Sequence, residues 1–252
     1  MNMINGNIKH EQTKNQCGFM HPLSATSKAF IDFASSREDF VVDIGCAYGI
    51  ASIGALEAGA KHVVACDINQ EHLDILKKRT PSKYISNKNL TLKLGKFPNE
   101  IDFDNKSVGA VLTSYILPYL TIDELELGLD KVFNWLVPGG KFFITSYTRY
   151  IKEFDNEPFI KEYDRRIQSG LKWPGYFENF NLYSSLKEEN EASNAFPSKI
   201  HFLDKKSLEK VLKEIGFEIE EAVFLNGRLN GAVEETINDG RELLSIIAKK
   251  PI

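Results

Sequence analysis

Residues 41–50 read VVDIGCAYGI, an apolar run that passes into a segment with glycine or alanine at every second position. The apolar run predicts a buried strand. Because Gly45, Ala47 and Gly49 carry little or no side chain, the backbone can turn sharply there and approach a ligand closely. We therefore expect a strand, a ligand-binding loop and then a helix over 50–58.

Apolar runs and helical patterns alternate on either side of this stretch. Thr121 and Glu124 form a capping box ahead of apolar residues at helical spacing, and that helix is expected to stop in the Val-Pro-Gly-Gly segment at 137–140. Asp204 is expected to cap a further helix that Gly216 closes. The candidate strands are 40–44, 62–67, 90–94, 110–113, 141–146, 217–225 and 243–248.

The order of these elements determines the predicted fold class. Strands that alternate with helices imply a mostly parallel sheet with helices on both faces. The chain is therefore predicted to be an α/β protein, a three-layer sandwich with a seven-stranded sheet whose last strand runs antiparallel. A single domain spans 1–252 in this prediction, with an N-terminal helical segment at 1–39 lying over the site.

The interval 148–200 has no clear periodicity but is rich in aromatic residues. It holds ten of the chain's 28 Phe, Trp and Tyr residues in about a fifth of the length, which favours a folded, aromatic-rich cap insertion over a linker. Its rings could wall a substrate or grip a methylammonium group, or they could form the cap's own small core. The rings in question are Trp173, Tyr176, Phe177, Phe180 and Tyr183.

The composition disfavours several classes of protein. A net charge of -4 lacks the basic excess that binding to nucleic-acid backbones favours, and no stretch approaches the roughly 20 apolar residues of a membrane helix. The three cysteines include no pair at metal-ligand spacing, so no metal site is expected. The polar start of the chain lacks the pattern of a secretion signal, which favours a cytoplasmic protein.

An acidic residue, Asp67, ends the strand that follows the glycine-bearing loop. A carboxylate there can accept hydrogen bonds from both hydroxyls of a ribose. A dinucleotide oxidoreductase would need the spacing G-x-G-x-x-G, but Ala47 and Ile50 stand where the second and third glycines belong. The loop therefore indicates a nucleoside ligand other than the usual dinucleotide, and a nicotinamide-dependent oxidoreductase remains a weaker alternative.

The loop resembles the signature acidic-x-G-x-G-x-G of the class I (Rossmann-like) methyltransferases that depend on S-adenosylmethionine (SAM), with Ala47 in place of the middle glycine. Further segments match that family in the expected order, and the resemblance covers roughly 40–146 and, less closely, 199–249. These segments are CDI at 66–68, GKFP at 95–98, LTSYILPYL at 112–120 and LVPGGKFFI at 136–144.

The resemblance implies SAM as cofactor and a role for each residue of the site. The methionine portion would be held by Asp43, Gly45, Cys46, Ala47 and Gly49, and the ribose by Asp67. Ile68 and Phe97 would lie on either side of the adenine, and Ser114, Tyr115 and Tyr119 would border the transferring methyl group. The family often has an acidic residue where this chain has Lys96, and often an aspartate at Gly109.

The implied function is SAM-dependent methyl transfer to a small molecule by direct in-line displacement. A protein side chain as acceptor and a catalytically silent SAM-binding module are the alternatives. Nucleic-acid amine methylation is disfavoured, because the [N/D/S]-P-P-[Y/F/W] tetrad is replaced by S-Y-I-L-P-Y from Ser114 onward. The candidate catalytic residues are Tyr115, Tyr119 and His201, although for His201 a packing role ahead of the helix cap is the favoured alternative. The remaining histidines, including His72, are assigned surface or capping roles.

Overall fold

The computed structural model of the protein describes residues 11–13, 19–20, 22–151, 156–183, 198–226 and 239–252. The strands are β1 (Glu11–Gln12), β2 (Phe19–Met20), β3 (Phe40–Ile44), β4 (Val63–Asp67), β5 (Leu90–Leu94), β6 (Val108–Ser114), β7 (Leu136–Tyr147), β8 (Tyr176–Phe177), β9 (Ile200–His201), β10 (Glu218–Leu225) and β11 (Leu243–Lys249). The helices are α1 (Ala25–Ala34), α2 (Ile50–Ala58), α3 (Gln70–Arg79), α4 (Ser82–Ser86), α5 (Ile122–Trp135), α6 (Glu157–Gln168) and α7 (Lys205–Ile215).

The main sheet has seven strands in the order β10-β11-β7-β6-β3-β4-β5. The five strands from β7 to β5 run parallel to their neighbours, whereas β11 lies antiparallel between β7 and β10. The predicted fold class, including the antiparallel last strand, is therefore confirmed. The chain winds outward from β3 in both directions, and in such sheets ligands bind beyond the carboxyl ends of the strands where the order reverses.

Side chains of alternate strand residues pack on opposite faces of the sheet, as the period of two requires. On one face α1 and α2 cover Val41, Ala110 and Phe143, and α3 covers Ala65. On the other face α5 and α7 cover a larger cluster that includes Val42. The helix ends follow the predicted signals: the Thr121–Glu124 capping box, the Asp204 cap and the left-handed Gly216 are all present.

The Val-Pro-Gly-Gly segment differs from its prediction as the stop of a helix ahead of a strand that begins at 141. The helix does end at Trp135, but β7 begins at Leu136 and runs through the segment. The reason is that the segment's backbone groups find partners across the sheet. The Gly139 N–H donates to the Lys250 carbonyl oxygen at 2.9 Å, and the Lys250 N–H donates to the Gly140 carbonyl oxygen at 2.9 Å.

The interval 148–200 contains α6, which the periodicity analysis missed. Asn156 caps it through the Phe159 N–H, and Phe159 and Tyr163, four residues apart, are buried. The cap residue and this spacing were the available signals. Residues 152–155 and 184–197 of the predicted cap lie outside the described residues, as do 1–10, 14–18 and 21 of the N-terminal segment. The predicted domain boundaries stay a prediction.

The described part of the N-terminal segment is a helix of the outer layer. Ser24 caps α1, and its hydroxyl lies 3.1 Å from that of Thr145 on β7. The Thr26 hydroxyl lies 2.6 Å from that of Ser245, so α1 is fixed to the sheet at one part-buried and one buried polar contact. Within the described ranges, no helix is both long and apolar enough to cross a membrane.

Candidate functional site

The loop after β3 begins with two backbone hydrogen bonds to the next strand. The N–H groups of Gly45 and Cys46 donate to the Cys66 carbonyl oxygen at 2.8 and 3.0 Å. Gly45, Ala47 and Gly49 then adopt positive φ angles of 73°, 46° and 75°. Three alternate residues in the left-handed region bring the loop back over the strand ends and start α2 at Gly49. Ala47 thus adopts the conformation for which glycine is the usual residue.

Ala47→Gly is expected to raise the free energy of unfolding by up to about 1 kcal/mol, because a left-handed alanine costs roughly 1–2 kcal/mol and glycine's greater unfolded entropy offsets part of the gain. Chemical denaturation would measure the change. Ala51→Gly, near the start of α2, is the matched control and should lose roughly 0.5–1 kcal/mol. An equal loss in both variants would contradict the strain at Ala47.

Neighbouring side chains cover the two glycines of the loop. A Cβ atom added to Gly45 would lie 2.1 Å from Cγ2 of Ile116, which follows β6, and one added to Gly49 would lie 2.0 Å from Cδ1 of Leu76 on α3. Any larger residue at either position would therefore collide with packed side chains as well as adopt an unfavourable φ. The sequence indicated the small residues but not the side chains that require them.

Asp67 links the end of β4 to the glycine-bearing loop. Its side chain is only 7% exposed, and Oδ2 accepts a hydrogen bond from the Ala47 N–H at 2.9 Å. Oδ1 accepts one from the Asn69 N–H at 2.9 Å. The carboxylate therefore stands beside the loop, as the sequence predicted for a residue that recognises a ribose, and it also fixes the loop's position.

His72 is a site residue that the sequence analysis missed, and its assignment to a surface or capping role was wrong. The side chain is 4% exposed, and Nδ1 lies 3.1 Å from Oδ1 of Asp67. The ring meets that of Tyr48 edge to face, with 5.3 Å between centroids. The only available signal was spacing, because a residue in the first turn of a helix capped by Asn69 lies close to the preceding strand end.

Asp43, near the end of β3, is buried and bonded to α2. Its Oδ2 accepts a hydrogen bond from the Ser52 hydroxyl at 2.6 Å. Burial raises the pKa of Asp43 to about 6, and the Ser52 hydrogen bond offsets only part of that effect. A nearby positive charge, such as an ammonium group on a ligand, would therefore favour the ionised form.

Asp43→Asn is expected to stabilise the unliganded protein above pH 6. The folded state holds the Asp43 proton up to about pH 6, whereas the unfolded chain releases it near 3.8, so ionisation costs stability as pH rises through this window. Two pKa units correspond to about 3 kcal/mol. The variant should match the wild type near pH 4 and exceed it by roughly 2–3 kcal/mol at pH 7.5 in denaturant titrations. A difference that does not change with pH would contradict the assignment.

The two predicted adenine neighbours are in different environments. Ile68, directly after Asp67, is 62% exposed and so is free to pack on a ligand. Phe97 is 7% exposed and points into the main core, where its ring packs on Gly128 of α5 and on Trp135. Phe97 therefore presents little of its ring to a ligand in this structure, because α5 offers it a glycine to pack against.

Cys46 contributes to the site through its backbone and not through its thiol. The side chain packs beneath the loop with Ile53, Leu73 and Leu76, and burial raises the pKa of the thiol well above its usual range. The thiol therefore stays protonated and unreactive at neutral pH.

Among the described residues, no group of three His, Cys, Asp or Glu side chains could hold a metal ion.

The end of β6 brings the predicted methyl-side residues to the same edge of the sheet. Ser114 is half-buried, and the Tyr115 N–H donates to the Thr145 carbonyl oxygen at 2.9 Å. Tyr115 adopts φ of 63°, which is strained for a bulky residue. This turn directs its ring against that of Tyr147, with 5.2 Å between centroids. Tyr119, on a single 3-10 turn, is 39% exposed.

His201 lies in β9, which packs against the 3-10 turn that carries Tyr119, and aromatic rings enclose its side chain. It is fully buried, its ring centroid is 5.2 Å from that of Trp173 and 5.6 Å from that of Tyr176, and neither ring nitrogen has a hydrogen-bond partner among the described residues. Burial lowers the pKa of His201 to about 3. This environment favours the packing role over that of a general base.

The aromatic residues of the cap mostly pack on one another. Phe159, Phe177, Phe180 and Phe202 form a buried cluster with ring centroids 5.1–6.2 Å apart, and Tyr115 packs against its edge. The sequence left open whether the cap's rings wall a substrate or form the cap's own core. Phe177 and Phe180 belong to the core. The cluster reaches the end of β6, so it also forms an aromatic border beside the site.

Comparison with known proteins finds methyltransferases. The family model described as a methyltransferase domain matches residues 41–140. The ribosomal protein L11 methyltransferase of Legionella pneumophila (strain Philadelphia 1) is 26% identical over 126 residues, which are 50% of this chain and 39% of that protein. Phosphoethanolamine N-methyltransferase 1 of Triticum aestivum is 30% identical over 105 residues, 41% of this chain and 20% of that protein. The chain thus spans less than half the length of these curated relatives.

Solved structures share the fold over nearly the whole chain. An S-adenosylmethionine dependent methyltransferase from Mesorhizobium loti superposes with a TM-score of 0.61 at 16% identity, covering 89% of this chain and 95% of that one. The [4+2]-cyclase SpnF superposes with a TM-score of 0.58 at 14% identity, covering 97% of this chain and 88% of that one. At these identities the structural likeness concerns the fold alone.

Proposed function

The chain carries a class I, Rossmann-like methyltransferase domain, and from this premise we propose that it binds SAM and transfers the methyl group to a small molecule. The observation that carries the proposal is the hydrogen bond between Asp67 Oδ2 and the Ala47 N–H. It joins an acidic strand end to a loop that has three left-handed residues and whose sequence resembles the signature of this family.

The residues at the strand ends fit a SAM molecule. The left-handed loop from Gly45 to Gly49 offers its backbone to the methionine portion of SAM. The ammonium group of that portion would favour the ionised form of the buried Asp43 carboxylate. The Asp67 carboxylate would accept a hydrogen bond from the ribose, and Ile68 offers an exposed apolar face for adenine. Phe97 does not join them, so adenine recognition in this proposal depends on Ile68.

The chain's part in the reaction is proposed to be positioning. A methyl group on a sulfonium centre is already activated, so the protein has to hold a nucleophile in line with it at about 3–3.5 Å. Burial raises the pKa of Tyr115 to about 12, so its hydroxyl remains protonated at neutral pH and can orient an acceptor by hydrogen bonding. Neither Tyr115 nor the buried His201 is suited to remove a proton, which favours an acceptor that needs no general base.

A small-molecule acceptor is supported by the aromatic border at the end of β6. Tyr115, at the end of β6, packs against Tyr147 of the cap cluster, and this border would enclose a small acceptor on its apolar side. Phosphoethanolamine N-methyltransferase 1 is a relative whose name gives a small molecule. A protein side chain is the second candidate, because the L11 relative is named for a protein acceptor. A SAM-binding module without transfer activity is the third candidate, because the fold does not by itself imply methyl transfer: SpnF shares the fold and is named as a cyclase.

Calorimetric titration with SAM, with its demethylated product S-adenosylhomocysteine (SAH) and with NAD tests the cofactor. We expect binding of the first two at micromolar concentrations and none of NAD. The absence of heat and of thermal stabilisation with both SAM and SAH would refute the proposal, and stabilisation by NAD alone would support the oxidoreductase instead.

Transfer of a labelled methyl group then separates the acceptor classes. The protein is incubated with methyl-labelled SAM and, in parallel, with pools of small metabolites or with the protein fraction of a cell extract. Label in small molecules supports the leading proposal, and label in protein supports the second candidate. Binding without transfer to either pool supports the silent binder.

A further inference from the structure

The Asp67 carboxylate has little capacity left for a ligand. A carboxylate offers about four lone-pair positions, two on each oxygen. Oδ1 already accepts the Asn69 N–H at 2.9 Å and faces Nδ1 of His72 at 3.1 Å. Oδ2 accepts the Ala47 N–H at 2.9 Å. One position on Oδ2 therefore remains, whereas a ribose presents two hydroxyl groups.

Two of these three donors are backbone groups that the fold holds in place. Ala47 belongs to the loop that is fixed by the bonds from Gly45 and Cys46 to the Cys66 carbonyl oxygen. Asn69 caps α3 by accepting the Glu71 N–H at 2.8 Å. Only His72 contributes a side-chain donor. The identity of residue 72 therefore determines how many lone-pair positions of the Asp67 carboxylate remain for a ligand.

The environment of His72 indicates that the contact with Asp67 is the reason for an imidazole here. Because an ionised carboxylate only accepts hydrogen bonds, Nδ1 carries the proton that points at Oδ1. Nε2 is buried and has no hydrogen-bond partner within the described part of the chain. An unsatisfied buried acceptor such as Nε2 lowers stability. An apolar ring could pack against Tyr48 without that cost.

We propose that His72 is a positioning residue that occupies Oδ1 of Asp67 and limits this carboxylate to one ribose hydroxyl of the nucleoside, bound at Oδ2. The proposal rests on the proposed function, since it takes SAM or SAH as the ligand. It concerns selectivity between the two hydroxyls. If His72 served only to pack α3 against the loop, replacing it would not change this selectivity.

The test compares SAH with its 2′-deoxy and 3′-deoxy forms by calorimetric titration. In the wild type, one deoxy compound should bind about tenfold or more weakly than SAH, because the hydrogen bond to Oδ2 is lost, and the other should bind within about threefold of SAH. In His72→Phe, the vacated position on Oδ1 can accept the second hydroxyl. The compound that the wild type tolerates should therefore become at least fivefold weaker than SAH in the variant.

Control variants keep the outcome decisive. His72→Leu repeats the test if the phenyl ring is too large, and thermal melts verify that each variant is folded. His62→Phe removes a histidine whose Nε2 contacts Thr91 and should leave the wild-type pattern unchanged. The proposal is overturned if the wild type binds both deoxy compounds equally weakly, or if it binds both as tightly as SAH. It is also overturned if the variants without His72 still tolerate the loss of one hydroxyl. Failure of SAH itself to bind would instead refute the proposed function.

Discussion

Asp67→Ala is expected to weaken SAM binding by tenfold or more. The variant removes the acceptor for a ribose hydroxyl, and a hydrogen bond to a charged group contributes about 1.5–3 kcal/mol. It also leaves the N–H groups of Ala47 and Asn69 without their acceptor, so the loop loses its link to β4. Both losses act on the same site, and calorimetric titration with SAM measures their sum.

Asp74→Ala is the matched control, because it removes a carboxylate from the exposed face of α3, where Asp74 accepts a hydrogen bond from the Gln70 side chain. It should bind SAM like the wild type. Thermal melts of both variants separate lost binding from lost folding, and Asp67→Asn supplies a variant of the same shape if alanine destabilises the loop. An Asp67→Ala protein that is folded and binds SAM with wild-type affinity would refute the ribose assignment.

His201 is expected to make the protein acid-sensitive. The folded state keeps His201 neutral down to about pH 3, whereas the unfolded chain takes up a proton near 6.5. Since the unfolded state binds the extra proton, the free energy of unfolding falls as pH drops through this window. Each pKa unit corresponds to about 1.4 kcal/mol, so the loss between pH 7.5 and 4.5 is roughly 2–3 kcal/mol, and it approaches roughly 4–5 kcal/mol near pH 3.

His201→Leu should remove this part of the pH dependence. Because Asp43 titrates in an overlapping range with the opposite sign, the informative quantity is the difference between wild type and variant at each pH. Denaturant titrations from pH 7.5 to 4.5 would measure it. His62→Leu, at a half-exposed histidine, should show a much smaller change. Parallel curves for wild type and His201→Leu would mean that folding does not lower the pKa of His201.

The features predicted from sequence share a local physical cause. The strand and helix at 40–58 follow from an apolar run, a small-residue loop and a terminal glycine, all of which act within a few residues. The capping box at Thr121 and the Asp204 cap are equally local. The position of Asp67 beside the loop follows from topology alone, because adjacent parallel strands end at the same edge of a sheet.

What the tertiary structure alone decided depends on which surfaces meet. Phe97 faces the core because α5 presents Gly128 to it, and His72 reaches Asp67 because α3 packs its first turn against the end of β4. The Val-Pro-Gly-Gly segment joins β7 because Lys250, 110 or more residues away, bonds its backbone. No local pattern encodes such partners, since they are set by the packing of distant elements. The sequence by itself therefore determined the loop and its acidic partner, and the packing of α3 and α5 decided which side chains accompany them.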